Sequence, residues 1–214
     1  MQAFDVLTGP AVAIARDNID TDQICPAEFC KRITRTGFAD ALFARWRDQG
    51  DPVLDQPAFA GARFLLAGRG FGIGSSREHA VWALRDHGFR AVLAESFGEI
   101  FRGNALGNGL LPIVLPADQL TRLVALAESD ARLELTVDLR TQQVRHGSTR
   151  LPFDIDARAR RMILGGLDEI DATLERSAGL ERYEASRPTW LPRSRSPHPS
   201  PSSARRTPTG AEHV

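Results

Sequence analysis

Gly68-Arg69-Gly70-Phe71-Gly72-Ile73-Gly74-Ser75-Ser76-Arg77-Glu78-His79-Ala80 follows the apolar run Phe64-Leu65-Leu66-Ala67 and leads into a helical pattern. A strand, a glycine loop and a helix start thus succeed one another. Such a junction suits an anion. Glycine lets the backbone come close to a ligand. The first helical N–H groups have no intrahelical partner, and the positive end of the helix dipole points at whatever sits there. Arg77 adds a permanent charge that can fork onto a carboxylate or phosphate. The dinucleotide spacing G-x-G-x-x-G fails, because its third glycine falls on Ile73 counted from Gly68 and on Ser75 counted from Gly70. The phosphate loop fails for want of a lysine. The hydrolase elbow G-x-S-x-G fails because neither Ser75 nor Ser76 has glycine at both required offsets. Ser75-x-x-Glu78 also reads as a capping box with Ser75 at the N-cap. From spacing alone, the stretch is either an anion site or a well-capped helix after a flexible turn.

Outward from this loop the pattern is regular. Upstream, residues 6–15 read as an opening strand with a turn inside it, and residues 16–37 as a loop. Phe38, Leu42, Phe43 and Trp46 have the spacing of an amphipathic helix over 38–49. Strand 62–67 comes before the loop and a helix over about 76–87 follows it, ending near Gly88. Ala91-Val92-Leu93-Ala94 is a second buried strand, and Ser96-x-x-Glu99 a second capping box opening another helix. Pro112-Ile113-Val114-Leu115 is a third strand, followed by a helix over 117–128. This alternation predicts parallel strands joined by right-handed crossovers. Both serine boxes then lie at carboxyl ends of strands, the edge where open α/β sheets bind ligands. Residues 133–153 alternate as antiparallel strands do, and helical patterns cover 156–164 and 167–184.

The string Phe71 to Ala80 resembles the signature of the swivelling domain of the aconitase superfamily. Two further segments agree in order and spacing. Asn18-Ile19-Asp20-Thr21-Asp22-Gln23-Ile24 with Pro26 is similar to that family's amino-terminal Thr-Asp motif. Ser96-Phe97-Gly98-Glu99-Ile100-Phe101, Asn104 and Asn108-Gly109-Leu110-Leu111-Pro112 are similar to its third block. Thr34 to Phe38 and Asp154 to Gly166 fit as well. Within the superfamily the likeness is to the small subunits of bacterial 3-isopropylmalate dehydratase, over roughly residues 1–186. The resemblance implies an α/β fold: a swivelling β/β/α domain with a mostly parallel central sheet, flanking helices and additional antiparallel strands.

Composition bounds the rest. The 27 basic and 27 acidic residues cancel, which argues against a protein held on nucleic acid by phosphate contacts. Apolar content of 42% is that of a globular domain. The amino terminus lacks a basic region and carries Asp5, so it does not read as a signal peptide. No apolar run is long enough to cross a membrane, and the expected location is the cytoplasm. Residues 187–214 are dominated by Pro, Ser and Arg and read as a disordered tail after a 1–186 body. Cys25 and Cys30 are the only cysteines, too few for an iron–sulfur cluster, and read as reduced structural thiols.

The resemblance implies a chemistry that this chain can perform only in part. Water leaves 2-isopropylmalate and returns to the cis-alkene to give 3-isopropylmalate, a step of leucine biosynthesis. Ser75 is implied as the base, acting as alkoxide at a helix amino terminus beside Arg77. Ser76 is implied as a hydrogen-bonding partner and Arg77 as the holder of a substrate carboxylate. Thr21 and Asp22 would line the opposite wall, with Asp22 orienting a charged partner, and Arg35 would make a second carboxylate contact. Asp22 also suits a plain Asx-turn and Arg35 a solvated position. Glu78 and His79 read as supporting or packing residues. The Lewis acid of the family is a [4Fe–4S] cluster on the large subunit. This chain is therefore expected to be half an active site, inactive alone and working in a heterodimer with that large subunit. Ile73 stands where Cys is common in the family. Arg69-Gly70, Arg102 and Gly107 depart from its pattern too. These differences leave open a paralogue acting on citramalate, homocitrate or a dimethylmalate, with residues 25–37 helping to set the side group. A non-catalytic anion-binding module is the rival from another class.

Overall fold

The computed structural model describes residues 1–51, 57–188 and 190–191. Most of the expected tail, 189 and 192–214, lies outside the described residues. The chain forms one unit over Met1–Glu175 and a second from Arg176 onward. In order, the first unit contains β1 (Val6–Ile14), α1 (Thr21–Ile24), two 3-10 turns (Ala27–Lys31 and Ala39–Ala41), α2 (Ala44–Asp48), α3 (Pro57–Gly61), β2 (Phe64–Ala67), α4 (Glu78–His87), β3 (Ala91–Ala94), α5 (Glu99–Gly107), β4 (Leu111–Val114) and α6 (Ala117–Ser129). It continues with β5 (Glu134–Asp138), β6 (Gln143–His146), β7 (Thr149–Pro152), α7 (Ala157–Gly165) and α8 (Glu169–Leu174). The described part of the second unit is dominated by α9 (Ser177–Ser186), none of whose residues is buried.

The strands form one sheet in the order β4-β3-β2-β1-β5-β6-β7. Pairing is parallel from β4 to β1 and antiparallel from β1 to β7. The parallel sheet with added antiparallel strands is thus present, and the antiparallel part makes up half of it. Every residue of β2 and β3 is buried, as befits parallel strands covered on both faces. Their side chains divide by parity between two cores. Leu65, Ala67, Val92 and Ala94 face α4, α5 and the 38–46 segment. Phe64, Leu66, Ala91 and Leu93 face Leu120 and Leu123 of α6, Ile163 of α7 and Leu135 and Val137 of β5.

Four expectations need correction. No turn interrupts β1. Gly9-Pro10 instead sits where β1 changes partners, its first half pairing with β5 and its second with β2. A Cβ on Gly9 would lie 2.7 Å from Arg63 Cγ, so the glycine serves close approach. The 38–49 helix is broken: Phe43 takes a left-handed conformation (φ 50°) and α2 begins only after it. All four apolar residues are still buried, because Phe43 N–H is held by Ile24 C=O (2.9 Å) and Phe38 N–H by Asp86 (2.9 Å). The carboxy-terminal helical pattern, 167–184, is two helices, α8 and α9. Neither serine capping box forms. Arg77 is the N-cap of α4 and Gly98 that of α5, both without a side-chain cap bond.

Candidate active site

The carboxyl ends of β1, β2 and β3 are neighbours in the sheet, so the segments that follow them meet. The glycine loop after β2 is threaded between the other two. On one side Asn18 N–H donates to Arg69 C=O (2.7 Å), Gly72 N–H to Ile19 C=O (2.7 Å) and Thr21 N–H to Ile73 C=O (2.9 Å). On the other, Phe71 N–H donates to Ser96 C=O (3.0 Å) and Gly98 N–H to Phe71 C=O (2.9 Å). The two bridges, Asp20 with Ile73 and Phe71 with Phe97, extend the parallel pairing past the strand ends. Gly72 makes this fit possible. Its φ is +75°, and a Cβ there would stand 2.3 Å from Phe101 Cγ.

This threading fixes Ser75 through its backbone. The Ser75 carbonyl accepts from the buried Thr21 hydroxyl (3.0 Å) and from Arg77 N–H (2.8 Å). α4 starts only at Glu78, so the serine hydroxyl is not used to cap the helix, and Ser75 and Ser76 are both exposed. The other serine box fails for a related reason: Ser96 Oγ accepts from Gly70 N–H (2.9 Å), bracing the loop instead of capping α5.

Arg77 forms an ion pair with Asp22, from the first turn of α1. Its side chain is 19% exposed and that of Asp22 40%. The hydrogen bond from Arg77 to the Asp22 carboxylate holds the guanidinium above its usual pKa, against a smaller opposing effect of burial. Asp22 is therefore the partner of Arg77 rather than an Asx-turn residue. The turn-forming role falls to Asp20, which makes a full capping box with Gln23 on α1. The spacing of Asp20 and Gln23, D-x-x-Q, is the sequence signal of that box. Behind the pair, burial pushes the Cys25 thiol up to about 12, with the neighbouring Cys30 adding to the shift. Both cysteines are free thiols, Cys25 buried.

Thr21, Asp22, Ser75, Ser76 and Arg77 thus come together. Arg35 does not join them: it lies on the exposed 33–37 stretch, and among the described residues no contact links it to this group. His79 packs edge-on to Phe38 and Trp82, at centroid distances of 5.4 and 4.8 Å. Glu78 accepts from Asn108 Nδ2 (2.7 Å), while Asn108 Oδ1 accepts from Trp82 Nε1 (3.0 Å). Asn108 ties the end of α5 to the first turns of α4, a link that spacing along the chain does not signal. The assembled group can bind a carboxylate: a partly buried guanidinium with donors beyond those turned to Asp22, beside two exposed hydroxyls.

Residues 1–118 match the Aconitase C-terminal domain family, and residues 121–157 match LeuD_N. The 3-isopropylmalate dehydratase small subunit of Parafrankia sp. is 54% identical over 192 residues, covering 90% of this chain and 98% of that one. The chain belongs to the family of 3-isopropylmalate dehydratase small subunits. The Streptomyces griseus small subunit is 49% identical over 193 residues, with 90% and 98% covered. The crystal structure of the Methanocaldococcus jannaschii 3-isopropylmalate dehydratase chain superposes with a TM-score of 0.62 at 26% identity, covering 83% of this chain and 98% of that one. As a small subunit of a hydro-lyase, the chain implies a large-subunit partner. Its own residues do not fit an iron–sulfur cluster. Among the described residues no three His, Cys, Asp or Glu side chains are grouped to hold a metal, and two cysteines fall short of the usual ligand set. No helix among the described residues is long and apolar enough to cross a membrane.

Proposed function

We propose that this chain works in the cytoplasm with a [4Fe–4S]-bearing large subunit, interconverting 2-isopropylmalate and 3-isopropylmalate through 2-isopropylmaleate in leucine biosynthesis. The observation that carries the reading is the Ser75 hydroxyl. It is left free of helix capping, on a residue whose carbonyl is held by the Thr21 hydroxyl and by the Arg77 N–H. The base must remove a proton from the carbon next to a carboxylate, and the charge that develops must be stabilised. Ser75, as alkoxide, takes that proton and returns it on rehydration. The uncapped amino terminus of α4 and the guanidinium of Arg77 favour the anionic form. Arg77 and Ser76 hold the substrate carboxylate, Asp22 orients Arg77, and Thr21 fixes the Ser75 backbone. Arg35, on the exposed 33–37 stretch, is the candidate for a second carboxylate contact. The cluster, carried by the partner, supplies the Lewis acid that helps hydroxide leave.

The test is a side-by-side assay of the reconstituted pair on isopropylmalate, citramalate, homocitrate and dimethylmalate. Isopropylmalate should be the best substrate. Ser75→Ala should abolish turnover while substrate still binds. Turnover by the purified chain alone, or wild-type turnover by the Ser75→Ala pair, would overturn the proposal.

A further inference from the structure

We propose that Arg32 and Asp40 are positioning residues for the reaction: by clamping the two ends of the 33–37 stretch, they hold Arg35 ready for the second carboxylate of the substrate. The proposal rests on the function given above. Arg32 ends the 3-10 turn Ala27–Lys31, and Asp40 lies in the next one, Ala39–Ala41. The Arg32 guanidinium meets the Asp40 carboxylate as a fork, Nη1 to Oδ1 and Nη2 to Oδ2, both at 2.7 Å. Nη1 also donates to Gly37 C=O (2.6 Å). The same guanidinium lies over the rings of Phe29 and Phe38, 4.8 and 5.4 Å from their centroids. The hydrogen bonds from Arg32 hold the Asp40 carboxyl below its usual pKa, so the pair stays charged at neutral pH. Phe38 anchors the far end of the stretch. It is fully buried, its N–H donates to Asp86 of α4 (2.9 Å), and its ring packs edge-on to His79.

What the clamp encloses has little support of its own. Residues 33–37 are all exposed, Ile33 completely, and the stretch is braced from within by a bond from Thr34 Oγ1 to Thr36 C=O (2.9 Å). Compact surface loops whose ends are drawn together frequently carry function. The root of this one lies at the Arg77 end of the site. His79, against which Phe38 packs, follows Arg77 by two residues, and the charges of Arg77 and Arg32 both act on the Cys25 thiol. The two arginines of the segment differ in what they can still bind. Arg32 has its fork engaged by Asp40 and Gly37. Arg35 has no bonding partner among the described residues and keeps its whole fork for a carboxylate. A stretch already held in place avoids the cost of ordering itself around the ligand. If loss of the clamp leaves the binding form populated about a tenth of the time, apparent affinity falls about 10-fold. The carboxylate is present in bound substrate and transition state alike, so the loss enters KM rather than kcat.

The experiment is steady-state kinetics on isopropylmalate of the chain reconstituted with the cluster-loaded large subunit from the same genome. Arg35→Gln should raise KM at least about 10-fold. Arg32→Gln should raise it about 10-fold with kcat within about 2-fold of wild type, and Asp40→Asn about 3-fold. Arg45→Gln, which breaks the exposed pair with Glu28, should change neither constant. The double variant decides. With Arg35 already replaced, Arg32→Gln should add less than about 2-fold to KM, because no contact is left to position. A clamp that serves stability alone would act equally in both backgrounds. Trypsin gives a second readout on the full chain by itself, cutting after Arg35 faster in Arg32→Gln and Asp40→Asn than in wild type. Circular dichroism and the thermal midpoint establish folding, and if Arg32→Gln unfolds, the exposed Asp40→Asn takes its place in both measurements. Wild-type KM in the clamp variants, the same KM factor in both backgrounds, or unchanged cleavage after Arg35 overturns the proposal and leaves the function standing where the wild-type pair is active. A wild-type pair that turns over none of the acids overturns both.

Discussion

Gly72→Ala tests whether the glycine loop is packed as tightly as its hydrogen bonding implies. Two costs add. Alanine at φ +75° enters the left-handed region at roughly 1–2 kcal/mol. Its methyl group also meets Phe101, 2.3 Å from Cγ and 2.7 Å from Cβ, where carbon atoms prefer about 3.5–4.0 Å. Phe101 cannot retreat easily: it is 2% exposed and packs edge-on to Phe71 at 5.3 Å. Overpacking of this kind costs about 1–3 kcal/mol. Lost freedom in the unfolded chain returns about 0.4–1 kcal/mol, leaving a net loss of roughly 2–4 kcal/mol. At about 2–4 °C per kcal/mol for a chain of this size, the midpoint falls by roughly 4–16 °C. Gly74→Ala is the internal control. Its φ is +95°, but the nearest heavy atom to the added Cβ is Asp20 Cβ at an ordinary 3.5 Å. It carries the backbone cost alone, about 1 kcal/mol after the same correction. Thermal and urea unfolding of both variants give the comparison. Equal losses in the two would refute the packing argument, because only the clash with Phe101 separates them.

Asp22→Asn should cost less than about 1 kcal/mol of stability, since the pair with Arg77 is partly solvated. The reconstituted enzyme should nonetheless lose at least about 10-fold in kcat/KM; unchanged kinetics would remove Asp22 from the site. Asn108→Ala strands the nearly buried Trp82 N–H and frees Glu78. It should lower stability by about 1–3 kcal/mol in denaturant unfolding, and a change within 0.5 kcal/mol would deny the tie between α4 and α5. Burial raises the folded Cys25 thiol from 9.0 to about 12. Below pH 9 its contribution to stability is fully present. Between pH 9 and 12 the unfolded thiol ionises while the folded one does not, so stability falls by about 1.4 kcal/mol per pH unit. Cys25→Ala should flatten that alkaline slope, and a slope equal to wild type would contradict the burial. At pH 8 a thiol reagent should modify Cys30 well before Cys25.

The parallel half of the fold was legible because its strands are buried on both faces, so Phe64–Ala67 and Ala91–Ala94 appear as uninterrupted apolar runs. The segment around Phe43 was not. Its apolar spacing is helical, yet the backbone is set by hydrogen bonds to Ile24 and Asp86, partners distant in sequence. The ion pair of Asp22 with Arg77 was legible in part: the family resemblance implies that Asp22 orients a charged partner, but only the adjacency of β1 and β2 in the sheet shows that the partner is Arg77. The two failed serine boxes carry the most functional information. A Ser-x-x-Glu pattern states that a hydroxyl can cap a helix, not that it will. Ser96 gives its oxygen to Gly70, and Ser75 is anchored by its carbonyl instead. Local rules fail most often where a site draws on the same atoms. Had Ser75 capped α4, its oxygen would be engaged by the helix backbone and poorly placed to take a proton. The departure from the local rule therefore favours Ser75 as a chemical group over Ser75 as a helix cap.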